Sequence, residues 1–198
     1  MSGTENQEST INHGKADGPP DAASPSWGQA FLANMKSAPY FKVTMLGALV
    51  MTLLDQMTKV WVVKILQLPV LRQIDLGPVF DFTYVQNYGA SFGMFRGGLP
   101  SRIFLSVLAF GIILVLINWL TTVTRPLAAA GIAFILGGAA GNLVDRVLYG
   151  YVIDFIDFSA MHFPWVFNIA DTSINVGVGL LLLDAFLGRD EESSQSSS

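Results

Sequence analysis

Four long apolar segments constrain the fold of this chain more than any other feature of its sequence. They cover about residues 42–66, 102–122, 126–149 and 167–187. Each approaches the ~20 apolar residues that an α-helix needs to cross a bilayer. The sequence therefore predicts a mainly α, integral membrane protein: a four-helix membrane domain over residues 42–187. An even number of spans places both termini on one side of the membrane.

The composition favours the same class. Of the 198 residues, 52% are hydrophobic and 13% are charged, whereas a soluble domain carries about 25% charged residues. The net charge of −4 gives no sign of a nucleic-acid partner. The chain has no cysteine, which excludes a disulfide, a thiolate metal site and a cysteine nucleophile.

Polar segments flank the membrane domain. Residues 1–41 are predicted to be a disordered tail, because most of them are small or polar. Within this tail, residues 27–40 space their large apolar side chains as a short interfacial helix would, and a plain linker is the alternative. Residues 188–198 are predicted to be a second disordered tail.

The longest connection between spans, about residues 67–101, predicts a small extramembrane antiparallel β-sheet. Residues 79–85 alternate aromatic with polar side chains, and this period of two is typical of a strand. The other connection on this side, residues 150–166, is rich in aromatic residues, which suits a membrane–water boundary. We predict that it forms a loop.

The polar residues of the spans are predicted to gather in one leaflet. Successive helices alternate in direction, so the end of the first span, the end of the third and the start of the fourth lie at the same face. Both long connections emerge at that face too. A charge inside a bilayer costs about 2.5–3.5 kcal/mol on insertion scales, so these groups require a structural or functional reason.

Helical spacing sorts the polar residues of the first and third spans. Asp55 and Lys59 are four residues apart, with the acid first, and we predict an ion pair. A purely structural role and a supporting role near an active site both remain open for this pair. Asn142, Asp145 and Arg146 share one face of the third helix. We interpret an Asp145–Arg146 pair there as architectural rather than chemical.

Two further acids are candidates for chemistry. Asp171 shares one face of the fourth span with Asn168 and Asn175, and packing alone does not explain an acid flanked by two amides. Asp154 lies in the predicted loop among apolar neighbours, where the pKa of an acid rises. A neutral acid beside an ionised one can activate water and protonate a scissile carbonyl. We interpret Asp154 and Asp171 as a proteolytic pair; the alternative is that Asp154 and Asp157 only solvate a surface loop.

Five motifs resemble those of the lipoprotein signal peptidases, also called signal peptidase II. They occur in that family's order and spacing over about residues 42–187: Asp55-Gln-Met-Thr-Lys59, Asn87-Tyr-Gly-Ala-Ser-Phe92, Gly141-Asn-Leu-Val-Asp-Arg146, Val152-Ile-Asp-Phe155 and Phe167-Asn-Ile-Ala-Asp171. The resemblance implies an aspartic endopeptidase that needs no cofactor. It would remove the signal peptide of a prolipoprotein by cutting before a diacylglyceryl-modified cysteine.

The resemblance also implies roles for individual residues. Asp154 and Asp171 match the catalytic dyad, with water as the nucleophile and no metal. The positions that orient substrate or support the dyad are matched by Asn87, Asn142, Arg146 and Asn168. Three further matches are of mainly structural weight: Asp55, Lys59 and Asp145.

The same resemblance implies a place in the bacterial inner membrane, with cytoplasmic termini and an active site on the periplasmic or extracellular face. Charge counting leaves the orientation open, because four Lys or Arg residues flank each side. The expected partners are diacylglyceryl-modified prolipoproteins and membrane lipids, and the expected oligomeric state is a monomer.

Other classes of protein compete with this interpretation. A small ion- or proton-coupled transporter would also need intramembrane acids, but near the midplane. A metalloprotease would have to use Asp154, Asp157 and His162, in a chain with two histidines. A Ser–Lys hydrolase based on Lys59 lacks a suitable serine motif. A non-catalytic scaffold leaves the acid between two amides unexplained.

Overall fold

Helices dominate the computed structural model, which describes residues 26–89 and 98–195. The helices are α1 (Trp27–Ser37), α2 (Phe41–Val60), α3 (Leu68–Leu71), α4 (Leu99–Leu120), α5 (Pro126–Leu148) and α6 (Ile169–Gln195). A π-helical turn, Trp61–Ile65, continues α2.

Within the described residues, four helices are long and apolar enough to cross a membrane. They are Phe41–Ile65, Leu99–Leu120, Pro126–Leu148 and Ile169–Gly188. The predicted fold class, a membrane bundle with a small sheet, is confirmed. Helix α5 is central to the bundle, because it packs against α2, α4 and α6.

Glycines bring α5 and α6 into near contact of their backbones. A Cβ atom on Gly131 would lie 2.9 Å from the carbonyl oxygen of Gly177, and one on Gly177 would lie 2.6 Å from the carbonyl oxygen of Gly131. Small residues at such crossings let membrane helices approach closely. The two helices that frame the polar site are therefore held at one separation.

An antiparallel sheet of four strands, in the order β1-β2-β3-β4, covers one end of the bundle in the described part of the chain. The strands are β1 (Gln73–Ile74), β2 (Asp81–Asn87), β3 (Val152–Asp157) and β4 (Val166–Phe167). Strand β3 pairs with β2, so that Val85 lies opposite Asp154. The sheet unites the two connections between spans.

The loop predicted for residues 150–166 is wrong in part, because β3 and half of β4 lie there. Every residue of β3 except the half-buried Ile156 is buried. A strand covered on both faces does not alternate apolar with polar side chains, so its period is invisible in the sequence. Asp154 therefore lies on a strand rather than in a loop.

Two apolar clusters support the two ends of the bundle. One ties the sheet to the end of α2 and contains Val62, Leu68, Ile153 and Phe155. The other joins α2, α4 and α5 near the opposite end, and its fully buried members include Leu120 and Ile132. The sheet thus packs against the bundle through a shared apolar cluster.

The chain ends differ in part from the sequence predictions. Helix α1 occupies the segment proposed as a short helix, and Ser26 and Gln29 form a capping box at its start. Helix α6 continues to Gln195, although a disordered tail is predicted from residue 188. Extending an existing helix needs no new nucleus, which accounts for the difference. The disorder predicted for residues 1–25 and 196–198, and the motif residues 90–92, lie outside the described residues.

Candidate active site

The two acids of the proposed dyad meet at the sheet-covered end of the bundle. Asp154 lies on β3 and is 1% exposed. Asp171 lies in the first turn of α6 and is half-buried. The chain between them includes β4 and Asn168, which directly precedes α6. The β3–β4 hairpin thus returns the chain so that the two acids lie on neighbouring elements.

Two buried amides connect the acids to each other. Asn168 Nδ2 donates to Asp154 Oδ1 at 2.6 Å, and its Oδ1 accepts from the backbone N–H of Asp171 at 2.8 Å. Asn142 Nδ2 donates to Asp171 Oδ1 at 2.8 Å. Asn168 Nδ2 also donates to Asn142 Oδ1 at 3.2 Å, which closes the connection.

A third amide reaches Asp154 from the sheet. Asn87, near the end of β2, donates through Nδ2 to Asp154 Oδ2 at 2.9 Å. Its own Oδ1 accepts from the backbone N–H of Gly89 at 2.8 Å, which fixes the direction of the amide. Both oxygens of Asp154 are therefore held by neutral donors.

Burial raises the pKa of Asp154 to about 7, and the negative charge of Asp171 acts in the same direction. Hydrogen bonds from Asn87 and Asn168 oppose the rise, and so does the positive charge of Lys59. Near neutral pH the neutral and ionised forms of Asp154 are then similarly populated. An acid in this range can give or take a proton during a reaction.

Arg146 lies beside the dyad but is not bonded to it. Its Nη1 donates to the backbone oxygen of Asn142 at 3.4 Å, and its charge acts on Asp171, Asp154 and Asp145. The predicted Asp145–Arg146 ion pair is not formed, since the ion pair of Asp145 is with Lys59. Adjacent helical residues point about 100° apart, so each of the two finds its partner elsewhere.

A buried ionic triad lies behind the dyad. Lys59 Nζ is 2.8 Å from Asp55 Oδ2 and 2.8 Å from Asp145 Oδ2, and the three side chains are 2%, 0% and 0% exposed. The predicted Asp55–Lys59 pair is therefore formed. Asp55 also accepts from the backbone N–H of Ala170, and Asp145 from that of Ile153. The triad thus connects α2, α5, α6 and β3.

Gln56 belongs to this network, although its place in the sequence indicates no role. Its Nε2 donates to Asp145 Oδ1 at 2.9 Å, to the Gly141 oxygen at 3.1 Å and to Asp55 Oδ2 at 3.1 Å. The signal available in the sequence was an amide next to a charged residue inside an apolar segment.

Asp157 is separate from the dyad. Its Oδ2 accepts from the Thr83 hydroxyl at 2.7 Å and its Oδ1 from the backbone N–H of Ser159 at 2.8 Å. Burial opposes ionisation, but these bonds outweigh it and lower the pKa of Asp157.

Asp154 is buried, so the alternative that both acids merely solvate a loop is wrong. No group of three His, Cys, Asp or Glu side chains in the described ranges is placed to hold a metal ion.

Comparison with known proteins places this chain in a family. The family described as signal peptidase (SPase) II matches residues 47–187. A lipoprotein signal peptidase of Caulobacter vibrioides is 48% identical over 149 residues, which cover 74% of this chain and 88% of the relative. One from Shewanella pealeana is 44% identical over 149 residues, covering 72% and 85%.

Solved structures agree with the fold. A bacterial membrane enzyme determined by the in meso method at 1.9 Å resolution has a TM-score of 0.64 and 28% identity, and the alignment covers 73% of this chain and 92% of that one. A second, at 2.3 Å, gives 0.64 and 25%. The chain is a multi-pass membrane peptidase. It belongs to the signal peptidase II family.

Proposed function

We propose that this protein removes signal peptides from prolipoproteins by hydrolysing the bond before a diacylglyceryl-modified cysteine. The curated relatives carry the name lipoprotein signal peptidase, and the five motifs of that family all lie in the matched segment. The observation that carries the proposal is the pairing of Asp154 and Asp171 through shared amides, with the pKa of Asp154 raised to about 7.

The proposed reaction uses one acid as a proton donor and the other as a base. A water molecule attacks the scissile carbonyl carbon while Asp171 takes one of its protons and neutral Asp154 donates its proton to the carbonyl oxygen. The resulting tetrahedral diol collapses when a hydroxyl proton returns to Asp154 and Asp171 protonates the leaving amine. The C–N bond then breaks, and both acids regain their starting states.

The amides would hold the acids in position for these transfers. Asn87 and Asn168 bond to opposite oxygens of Asp154, and Asn142 bonds to Asp171. Arg146 is half-buried beside both acids and would attract a polar part of the substrate. Such fixed donors need no rearrangement when charge moves between the acids.

The site suits a substrate that is anchored in lipid. The dyad lies where α6 begins, at the end of the bundle that the sheet covers. We place this end at the periplasmic or extracellular face of the bacterial inner membrane, with both termini in the cytoplasm and the protein active as a monomer. The acyl chains of the substrate then stay in the bilayer while the scissile bond reaches the acids. A transporter, the main alternative, would favour acids near the midplane.

The test compares a diacylglyceryl-modified precursor with the unmodified precursor, using the full chain in proteoliposomes. We expect cleavage of the modified precursor only. Asp154→Asn and Asp171→Asn should each lower kcat by about 10⁴-fold, as loss of an essential catalytic group does.

Asp157→Asn is the matched control, because it alters an acid of the same strand outside the dyad, and it should retain activity. Near-normal processing by either dyad variant would overturn the assignment. Proton or ion flux without cleavage would favour the transporter.

A further inference from the structure

Asn142 is the link between the ionic triad and the dyad. Its Oδ1 accepts from Lys59 Nζ at 3.3 Å and from Asn168 Nδ2 at 3.2 Å. Its Nδ2 donates to Asp171 Oδ1 at 2.8 Å. One amide therefore faces a cation on one side and an acid on the other.

The chemistry of these neighbours allows Asn142 one orientation. An ammonium group only donates hydrogen bonds, and an ionised carboxylate only accepts them. If the amide were turned over, its NH₂ would face Lys59 and its oxygen would face Asp171, so both contacts would become repulsive. Lys59, together with the Nδ2 of Asn168, thereby favours the orientation in which Asn142 presents a donor to Asp171.

Lys59 is held so that it can impose this orientation. An ammonium group has three N–H donors, and Lys59 has three acceptors: Asp55 Oδ2 at 2.8 Å, Asp145 Oδ2 at 2.8 Å and Asn142 Oδ1 at 3.3 Å. The side chain is 2% exposed. Two of its donors neutralise the acids, and the third is directed at the amide.

From this geometry we propose that Lys59 is a positioning residue of the peptidase, which acts through Asn142 to hold Asp171 for proton transfer. The proposal rests on the proposed function and deepens it. It gives Lys59 a part in the reaction beyond the structural weight that the sequence resemblance implies.

The charge of Lys59 also reaches Asp154. It lowers the pKa of that acid, against the larger effects of burial and of Asp171. The other charged groups around Lys59 are Asp55 on its own helix, Asp145 on α5, and Lys64, which lines the same cavity as Lys59. On the dyad side, Arg146 of α5 faces both acids. Loss of Lys59 therefore removes a cation from a site that is otherwise rich in acids.

The main test is the double variant Lys59→Met/Asp145→Asn. The triad has a formal charge of −1, from two acids and one lysine, and the double variant keeps −1 from Asp55 alone. We expect kcat per folded molecule to fall about 100-fold, the effect of a small misplacement of a reacting group. KM should stay within about 3-fold, because the Lys59 side chain is 2% exposed and offers a substrate almost no contact surface.

The matched control is Thr52→Val, which removes the hydrogen bond from Thr52 on α2 to the Gly137 oxygen on α5 but leaves the triad and the contact between Lys59 and Asn142. If the triad is only structural, both variants lose folded protein and neither changes kcat per folded molecule. A positioning role separates them, because only the double variant lowers kcat. The alkaline limb of its kcat/KM profile should also move to higher pH, since the positive charge of Lys59 lowers the pKa of Asp154 and Asp145 is not among the charges that act on that acid.

Lys59→Arg keeps the cation and provides a second route if the double variant does not fold. The planar guanidinium cannot direct three donors at the three acceptors as an ammonium does. We expect kcat to fall, while the alkaline limb of the kcat/KM profile stays at the wild-type pH because the positive charge is kept.

A wild-type kcat in Lys59→Arg, or a wild-type kcat and pH profile in the double variant, would overturn the proposal. If Asp154→Asn is inactive in the same assay, the proposed function still stands. A wild-type protein that does not cleave the lipidated precursor would remove both proposals.

Discussion

The two ends of the helix bundle hold charge in opposite ways. At the sheet-covered end, Lys59 lies 2.8 Å from each of two acids, and all three side chains are at most 2% exposed. At the other end, Arg125 Nε lies 3.3 Å from Asp184 Oδ1, and the side chains are 38% and 14% exposed. Among the described residues, Asp184 Oδ1 accepts no hydrogen bond.

The difference shows which end can hold a precise geometry. A charge near water is stabilised by solvent whatever its partner does, so an exposed pair contributes little, about 0–1 kcal/mol. A buried charge depends entirely on protein partners, and each must remain in place. The fully buried ionic triad can therefore orient a neighbouring amide, whereas the Arg125–Asp184 pair is longer and more exposed and fixes its surroundings less.

The largest expected effect comes from Lys59→Met. This change leaves Asp55 and Asp145 buried without a cation, and removal of one partner from a buried ion pair costs about 3–5 kcal/mol. Because membrane and soluble domains alike have limited stability, much of the protein should fail to fold. The readouts are the monodisperse fraction in detergent and the thermal midpoint. A variant as stable as wild type would contradict the dependence of this end on the triad.

A smaller loss is expected from Gly141→Ala, which crowds the triad. The new Cβ would lie 2.5 Å from Asp55 Oδ2 and 3.1 Å from its Cγ. Asp55 is held by Lys59 and by the backbone of Ala170. The shift that removes the clash with the new Cβ therefore costs about 1–3 kcal/mol of stability.

Gly179→Ala is the matched control, because its Cβ would meet no heavy atom within 4 Å. Alanine is the better helix former, so this variant should gain up to about 1 kcal/mol. Equal thermal midpoints for the two variants would show that Asp55 shifts to accept the new methyl group more readily than its contacts indicate.

Asn87→Ala is expected to change the pKa of Asp154 while the rest of the site stays in place. The Asn87 amide favours the ionised form of Asp154, so its loss raises the pKa of Asp154 further. Activity that needs a neutral Asp154 should then persist to higher pH, which a profile of kcat/KM against pH measures. Gln86→Ala, whose side chain bonds to tyrosine hydroxyls, should leave the profile in place. A shift of the alkaline limb to lower pH would show that Asn87 acts in another way.

The smallest effect is expected at the opposite end. Arg125→Met makes the same type of change as Lys59→Met, but Arg125 and Asp184 are 38% and 14% exposed, against 2% and 0% for Lys59 and Asp55. The loss of stability should be about 1 kcal/mol, with activity unchanged. A loss as large as that of Lys59→Met would mean that the two ends do not differ as their exposure indicates.

Sequence spacing revealed contacts within one helix and missed those between helices. The Asp55–Lys59 pair follows from a separation of four residues on α2. The second partner of Lys59 lies on α5, far along the chain, and no periodicity reports such a contact. Spacing within one helix therefore pairs Asp145 with its neighbour Arg146 and indicates no role for Gln56. Three-dimensional packing decided both cases.

The strands show the same limit. Strand β2 is half-buried over most of its length, and its alternating pattern was visible as a predicted strand. Strand β3 is buried on both faces and resembles any short apolar run. The four spans were predictable because apolar length alone defines them. Asp154 and Asp171 were indicated by their neighbours in the sequence and by the family motifs, whereas the individual hydrogen bonds to them needed the fold.

The glycine contact between α5 and α6 has a consequence for how such an enzyme can diversify. Asn142 is carried by α5 and Asp171 by α6, and the crossing at Gly131 and Gly177 leaves no space between the two backbones for larger side chains. Helices α5 and α6 therefore behave as one rigid unit, and so do Asn142 and Asp171, which they carry. We expect that adaptation to lipoproteins of different sequence takes place in the strands and their connections, which can accept new side chains without altering the spacing of the acids.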